Sequence, residues 1–252
     1  MSTQTLSLEK TLDLRKQKVL DLKKSAGIEG QFAKVKLVLD YSGSMANLYR
    51  DGDVQQLVER LLPIGMAFDD DGEVDVYLFH DGVIKIKETM NVKNINGFID
   101  RAINGKKMGF TNYAPAINAV VKDSVAVTGT TEEKVKTGLF SSKKVVRNVY
   151  GKEDLPTYCI FITDGANDDK PETETTMIDV SYAPVFFQFV GIGSASFPFL
   201  EKLDDLKGRH IDNANFFTVP SLRSKSDDDL YKLLLTEFPS YIKEARSKGL
   251  IN

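Results

Sequence analysis

A doubly wound α/β fold with a mostly parallel central sheet is what this 252-residue sequence predicts. Three observations predict it. The apolar runs at 35–39, 157–163 and 185–190 lack the in–out alternation of half-exposed strands, so they read as strands covered on both faces. Segments with helical spacing of apolar residues separate them, which is the alternation of a sheet wrapped by helices. Two of the runs end in Asp and the third in Gly191-Ile192-Gly193, the punctuation expected where strands give way to loops.

Taken in order, residues 7–26 carry Leu8, Leu12, Val19 and Leu22 at roughly helical spacing, with Gly27 as a stop. Lys10, Arg15, Lys16, Lys18, Lys23 and Lys24 make this helix basic, and a solvated face is the expectation. The strand Val35 to Leu39 ends in Asp40 and is interrupted only by Lys36. A helix fits 53–67, with Asp53 and Gln56 at capping-box spacing and Pro63 expected to kink or shorten it. Val74 to Phe79 is strand-like, His80-Asp81-Gly82 is a turn, and Val83 to Lys87 alternates as the one antiparallel edge strand. Helices follow near 94–103 and from Ala114, where Pro115 suits a first turn. After the strand Thr157 to Thr163 come a helix at 172–181, the strand Val185 to Val190, a helix at 197–206 and a strand at 215–219. The closing helix starts at a Ser226/Asp229 box and is interrupted by Pro239. Residues 1–27 therefore read as an N-terminal helical extension and 28–252 as the domain. The stretch 122–156 reads as a solvated basic insertion with a hairpin around Ser141-Ser142.

Composition narrows the function. Hydrophobic residues make up 42% and charged residues 27%, enough to build a core and too apolar for wholesale disorder. Lys+Arg 33 against Asp+Glu 36 leaves a net charge of −3, so nothing draws the chain to nucleic acid or to an anionic membrane. No apolar run approaches the ~20 residues of a membrane span. The lone Cys159, inside an apolar strand, reads as a core residue and asks for no oxidising compartment. A soluble cytoplasmic protein is the expectation.

The informative segment is Asp40-Tyr41-Ser42-Gly43-Ser44, directly after a buried strand. Parallel sheets present ligands at the carboxyl ends of their strands. Asp40 and Asp164 end two different strands, and Thr111 lies in the Gly109-Phe110-Thr111-Asn112 turn before a helix. Asp40, Ser42, Ser44, Thr111 and Asp164 thus offer two carboxylates and three hydroxyls from three loops. An all-oxygen set suits a hard divalent cation, Mg²⁺ first, with Mn²⁺ or Ca²⁺ possible. Ser and Asp also cap helices, but placement at strand ends favours the metal. Gly43 is expected to let the turn bend so that both serine hydroxyls face one ion.

These segments, with Tyr113-Ala114-Pro115 and Ile162-Thr163-Asp164-Gly165, resemble the metal-ion-dependent adhesion site of VWA (von Willebrand factor A-type) domains. Residues 68–72, 189–193 and 197–204 are similar to the VWA domains of bacterial tellurite-resistance (Ter) proteins and copines, a resemblance covering roughly 30–245. It implies that Ser42, Ser44 and Thr111 coordinate the ion while Asp40 and Asp164 act directly or through water. It implies also an open coordination position, completed by an Asp or Glu of a protein partner, in a Ter-type stress-response or defence system. Mostly neutral ligands leave a cation attractive to one more carboxylate, so the physics agrees. Phe110 stands where family members often have Gly, and is expected to narrow access.

The expected class is a binding module and not an enzyme. The alternative is a Mg²⁺-dependent phosphatase-like hydrolase, since haloacid-dehalogenase phosphatases also begin from an Asp after the first strand. They resemble D-x-D, and here Ser42 replaces the second Asp. The Phe68–Gly72 stretch lacks the ligand pattern of a calcium loop, and Gly191-Ile192-Gly193 lacks the rest of a dinucleotide fingerprint. His80 and His210 sit in no metal-ligand spacing and read as turn or surface residues.

Overall fold

The computed structural model describes residues 3–136, 142–165, 167–221 and 224–252. The chain begins with helix α1 (Thr3–Ser25), then runs β1 (Lys34–Asp40), α2 (Ala46–Arg50), α3 (Asp53–Phe68), β2 (Asp75–Phe79), β3 (Val83–Lys85), α4 (Phe98–Ile103) and α5 (Ala114–Lys122). A two-stranded ribbon, β4 (Val127–Lys136) with β5 (Ser142–Tyr150), precedes β6 (Thr157–Thr163). The last third comprises α6 (Lys170–Val180), β7 (Val185–Ile192), α7 (Pro198–Asp204), β8 (Ala214–Val219), α8 (Asp227–Leu234) and α9 (Phe238–Ser247). The main sheet has six strands in the order β3-β2-β1-β6-β7-β8. All neighbours are parallel except β3, which pairs antiparallel with β2 at the edge. This is the expected doubly wound sheet.

Strand side chains alternate between two cores, as the pleat requires. Leu37, Leu39, Leu78, Ile160 and Ile162 pack under α1, α3, α4, α8 and α9. Val38, Phe79, Cys159, Phe161 and Phe187 face α5, α6 and α7. Both faces are dry, which is why these strands read as continuous apolar runs.

Four local expectations are revised. Lys23 is not on a solvated face: it is buried, its ammonium donates to the carbonyls of Gln31 (2.8 Å) and Ala67 (2.6 Å), and it stacks over Phe68. It ties α1 to the end of α3. Pro63 neither stops nor shortens α3, which continues to Phe68. The carbonyl that Pro63 cannot engage, that of Glu59, instead lies 3.4 Å from a donor of Arg15 on α1. Gly52, in the left-handed region at φ 77°, occupies the N-cap of α3, so Asp53 stands in the first turn and not at the cap. Gly43 has an ordinary negative φ and open space around it, so the turn does not depend on it. The Ser226 cap is as expected, with its hydroxyl accepting from the Asp229 amide at 3.1 Å.

The 122–156 segment forms the β4–β5 ribbon, and Ser142 opens β5 while Ser141 lies outside the described residues. The ribbon leaves the end of α5 and returns to the start of β6. Arg147, almost fully buried, holds it there by bonding Glu133 (2.8 Å) and Asp179 (2.5 Å) at the end of α6. It therefore stands at the amino ends of the parallel strands, opposite Asp40 and Asp164. Among the described residues no helix is long and apolar enough to cross a membrane.

Lys36 is the one buried cation of β1. Its ammonium donates to the Asp123 carboxylate (2.7 Å) and carbonyl (3.0 Å), with Asp75 3.8 Å away. Burial alone would push the Asp123 carboxyl up, but bonds from Lys36, Lys85 and Tyr77 hold it well below the usual carboxylate range. Asp123→Ala strands a buried ammonium and should cost about 3 kcal/mol in urea unfolding with an unchanged slope. Adding Lys36→Met should restore most of that loss; a double variant no more stable than the single one would show that the pair is not the cause.

Candidate metal centre

The site is built where β1 and β6 end side by side. Asp40, the last residue of β1, has no exposed surface. One carboxylate oxygen accepts the Ser42 amide at 2.9 Å, and the other accepts the Thr163 hydroxyl at 2.7 Å. From Ser42 the contacts run outward: its hydroxyl lies 3.0 Å from that of Ser44, and Ser44 donates to Asp164 at 2.8 Å. The series rises from buried Asp40 and Ser42 through half-buried Asp164 to exposed Ser44. Four of the five expected residues thus share one hydrogen-bonded chain that opens to solvent.

Thr111 is not in that chain, but its loop is locked beside it. The Gly43 amide donates to the Gly109 carbonyl (3.3 Å), and the Gly109 amide points at the Tyr41 carbonyl (3.4 Å). A Cβ on Gly109 would lie 2.2 Å from a carboxylate oxygen of Asp81 and 3.1 Å from the Cβ of His80, so glycine lets this loop sit close against the His80-Asp81 turn. The Thr111 carbonyl accepts from the Asp168 amide at 2.8 Å. Asp169 caps the start of α5 by accepting from the amides of Tyr113 (3.0 Å) and Ala114 (2.8 Å). The second and third loops are therefore fastened to each other through backbone.

Electrostatics sets the site apart. Burial pushes the Asp40 carboxyl up to about 6, against the bonds from Ser42 and Thr163 that pull it down, and the nearby Asp164 raises it further. Burial raises Asp164 as well, while its bond from Ser44 lowers it. Among the described residues, neither carboxylate has a Lys, Arg or His within ion-pair distance. Buried charges are ordinarily paired or bound to metals. The donor set passes the test for a hard divalent ion: all atoms are oxygen, with two carboxylates and three hydroxyls. It does not suit a nitrogen- or sulfur-ligated ion, and among the described residues no group of three or more His, Cys, Asp or Glu is arranged to hold a metal.

Sequence reasoning assigns no role to Thr163 or Tyr113, which it names only within motif segments, and does not single out Tyr49 or Asp169. Thr163 braces Asp40, Tyr113 donates to the Gly165 carbonyl (2.6 Å), and Tyr49 donates to the Asp40 carbonyl (2.8 Å). The available signal was polarity: Thr163 is a hydroxyl residue closing an otherwise apolar run. An open cleft of about 700 Å³ adjoins the site on the β7–β8 side, lined by Ser44, Asp51, Asp164, Gly193, Ser194 and Pro220.

The comparisons with known proteins agree with this architecture. Residues 32–251 match the vWA-TerF-like family, described as the vWA found in the TerF C terminus. The chain belongs to that family. It is 36% identical over 247 residues to YcbR of Bacillus subtilis (strain 168), covering 96% of this chain and 90% of that protein. In fold it is similar to proximal thread matrix protein 1 of the mussel byssus, at TM-score 0.55 and 16% identity over 81% of this chain. The same mussel protein with a zinc-occupied MIDAS motif gives TM-score 0.50 at 17% identity. This chain spans 47% of the mussel protein's length in both comparisons.

Two measurements check the centre. Calorimetry on chelator-stripped protein should show Mg²⁺ or Mn²⁺ binding that Asp40→Ala abolishes; equal heats from both proteins would remove Asp40 from the ligand set. Bound metal should also raise the melting temperature modestly. The ribbon should be dispensable for this: Gly129 pairs with Val149, so replacing 130–148 by a two-residue turn closes it. That variant should bind metal as the full chain does, and loss of binding in a folded variant would show that the ribbon reaches the site.

Proposed function

We propose that this chain is a metal-dependent protein-binding module. Asp40, Ser42, Ser44, Thr111 and Asp164 hold a divalent cation, Mg²⁺ in the first place, and an exposed Asp or Glu of a protein partner completes its coordination. The observation that carries the reading is a pair of carboxylates, one wholly and one half buried, joined through two serine hydroxyls with no basic side chain against either among the described residues. A divalent cation supplies the missing positive charge. The hydroxyls, being neutral, leave it able to attract one more anion.

Membership in the TerF-related family supports a place in a Ter-type stress or defence system, and the single buried Cys159 fits a reducing cytoplasm. The hydrolase alternative finds less support. A phosphatase nucleophile must reach its substrate, whereas Asp40 is fully buried with both oxygens bonded. Turnover of a generic phosphate ester that depends on Mg²⁺ and Asp40 would favour the hydrolase instead.

The test is affinity capture from the native host on immobilised protein, in Mg²⁺ and then in EDTA, followed by surface plasmon resonance with the captured partner. Binding should vanish in EDTA and with Asp40→Ala. Thr111→Ala should weaken it, on the order of the ~2–4 kcal/mol of a central anchor. Equal affinity in both buffers and for both variants would mean that another surface makes the contact.

A further inference from the structure

Phe110 has the largest exposure of any large hydrophobic side chain among the described residues, 75% against 67% for Leu14. It lies between Gly109, which pairs with Ser42, and Thr111 of the candidate metal centre. A single exposed apolar residue on a surface is ordinary. Phe110 differs because its backbone is fixed on both sides. Gly109 is bonded to the 41–43 loop through backbone and sits close against the His80-Asp81 turn. Asp81 takes a bond from the Phe110 amide and another contact from the His80 ring at 2.7 Å. On the other side, the Thr111 carbonyl and the Asn112 amide are bonded to Asp168 and to the His80 carbonyl. A wet aromatic ring thus stands on a rigid mount at the mouth of the site.

We infer that Phe110 is a specificity-determining contact, selecting partners whose metal-binding acid has an apolar side chain beside it in sequence. This deepens the proposed function and rests on it. The backbone that carries the ring is already held, so covering the ring orders only its own side-chain rotations and removes apolar surface from water. Central, rigid aromatic residues carry most of the energy at small interfaces. The surroundings are asymmetric: the open cleft with Asp51 lies toward β7 and β8, whereas the backbone at Phe110 is bonded to the His80-Asp81 turn that follows β2. The apolar neighbour of the partner's acid is therefore accommodated on one flank only, which fixes the direction in which the partner segment crosses the strand ends.

The test is selection of displayed random twelve-residue peptides on the full chain in Mg²⁺, with elution by EDTA, using wild type and Phe110→Ser in parallel. Thermal melting followed by circular dichroism checks that the variant is folded. Peptides eluted from wild type should carry Asp or Glu with Leu, Ile, Phe or Met within two positions. Their affinity should fall about tenfold or more on Phe110→Ser and recover on Phe110→Tyr. Acid-bearing peptides with no apolar neighbour, or equal affinity for wild type and Phe110→Ser, would overturn the role of Phe110 while leaving the metal reading in place. EDTA-eluted peptides without an acid would instead overturn the proposed function on which this inference rests.

Discussion

A carboxylate with no contact to water ends the central strand of this sheet, and the surrounding loops are arranged to tolerate it. Placing Asp40 at the end of β1, between β2 and β6, removes its solvent, and burial pushes its proton affinity up accordingly. The protein offers two hydrogen bonds in return, from Ser42 and Thr163. Those bonds stabilise the ionised form without neutralising it. The same strand shows what neutralisation by protein looks like. Lys36 and Asp40 are four residues apart and project to the same face, and Lys36 is met by Asp123 and Asp75. Two buried charges on one strand are thus treated in opposite ways. Among the described residues, Lys36 is met by carboxylates and Asp40 by no cation.

The frame around Asp40 is made mostly of backbone. Ser42 pairs with Gly109, Thr111 with Asp168, and Asp169 closes the N-terminus of α5. Side chains that must carry chemistry gain from such a frame, because their geometry is fixed before any ligand arrives. It also explains why the hydroxyls are free to serve. Helix α5 begins at a carboxylate cap that comes from a different loop, so neither Thr111 nor the serines are needed for capping.

The α/β class, the parallel order and the antiparallel edge were all legible, because strands covered on both faces leave continuous apolar runs and helices leave a different period. Asp40, Ser42, Ser44 and Asp164 were legible because they punctuate strand ends. What escaped depends on contacts between segments distant in the chain. Lys23 looked like one more cation on a basic helix; only the fold reveals two carbonyls and an aromatic ring waiting for it. Pro63 looked like a helix breaker, but Arg15, from another helix, reaches toward the orphaned carbonyl. Thr163 looked like a residue of a strand, and its bond to Asp40 crosses 123 positions. Caps also misled, since Asp53 and Gln56 have the right spacing while the backbone puts Gly52 first.

The two ends of the sheet divide the electrostatic labour. At the amino end, Lys36 with Asp123 and Arg147 with Glu133 and Asp179 form closed sets of opposite charges, and the ribbon rests on one of them. Such sets hold geometry and leave little field outside. At the carboxyl end no cation pairs with Asp40 or Asp164 among the described residues, the hydroxyls are neutral, and the site grades from dry to wet within a few residues. A field left uncancelled at a wet surface attracts whatever carries the opposite charge. Placing that field beside an uncovered phenyl ring would join a strong but unselective attraction to a weak and selective one. On the proposed reading, that combination would let one small surface bind tightly only when an ion, an acid and an apolar group arrive together.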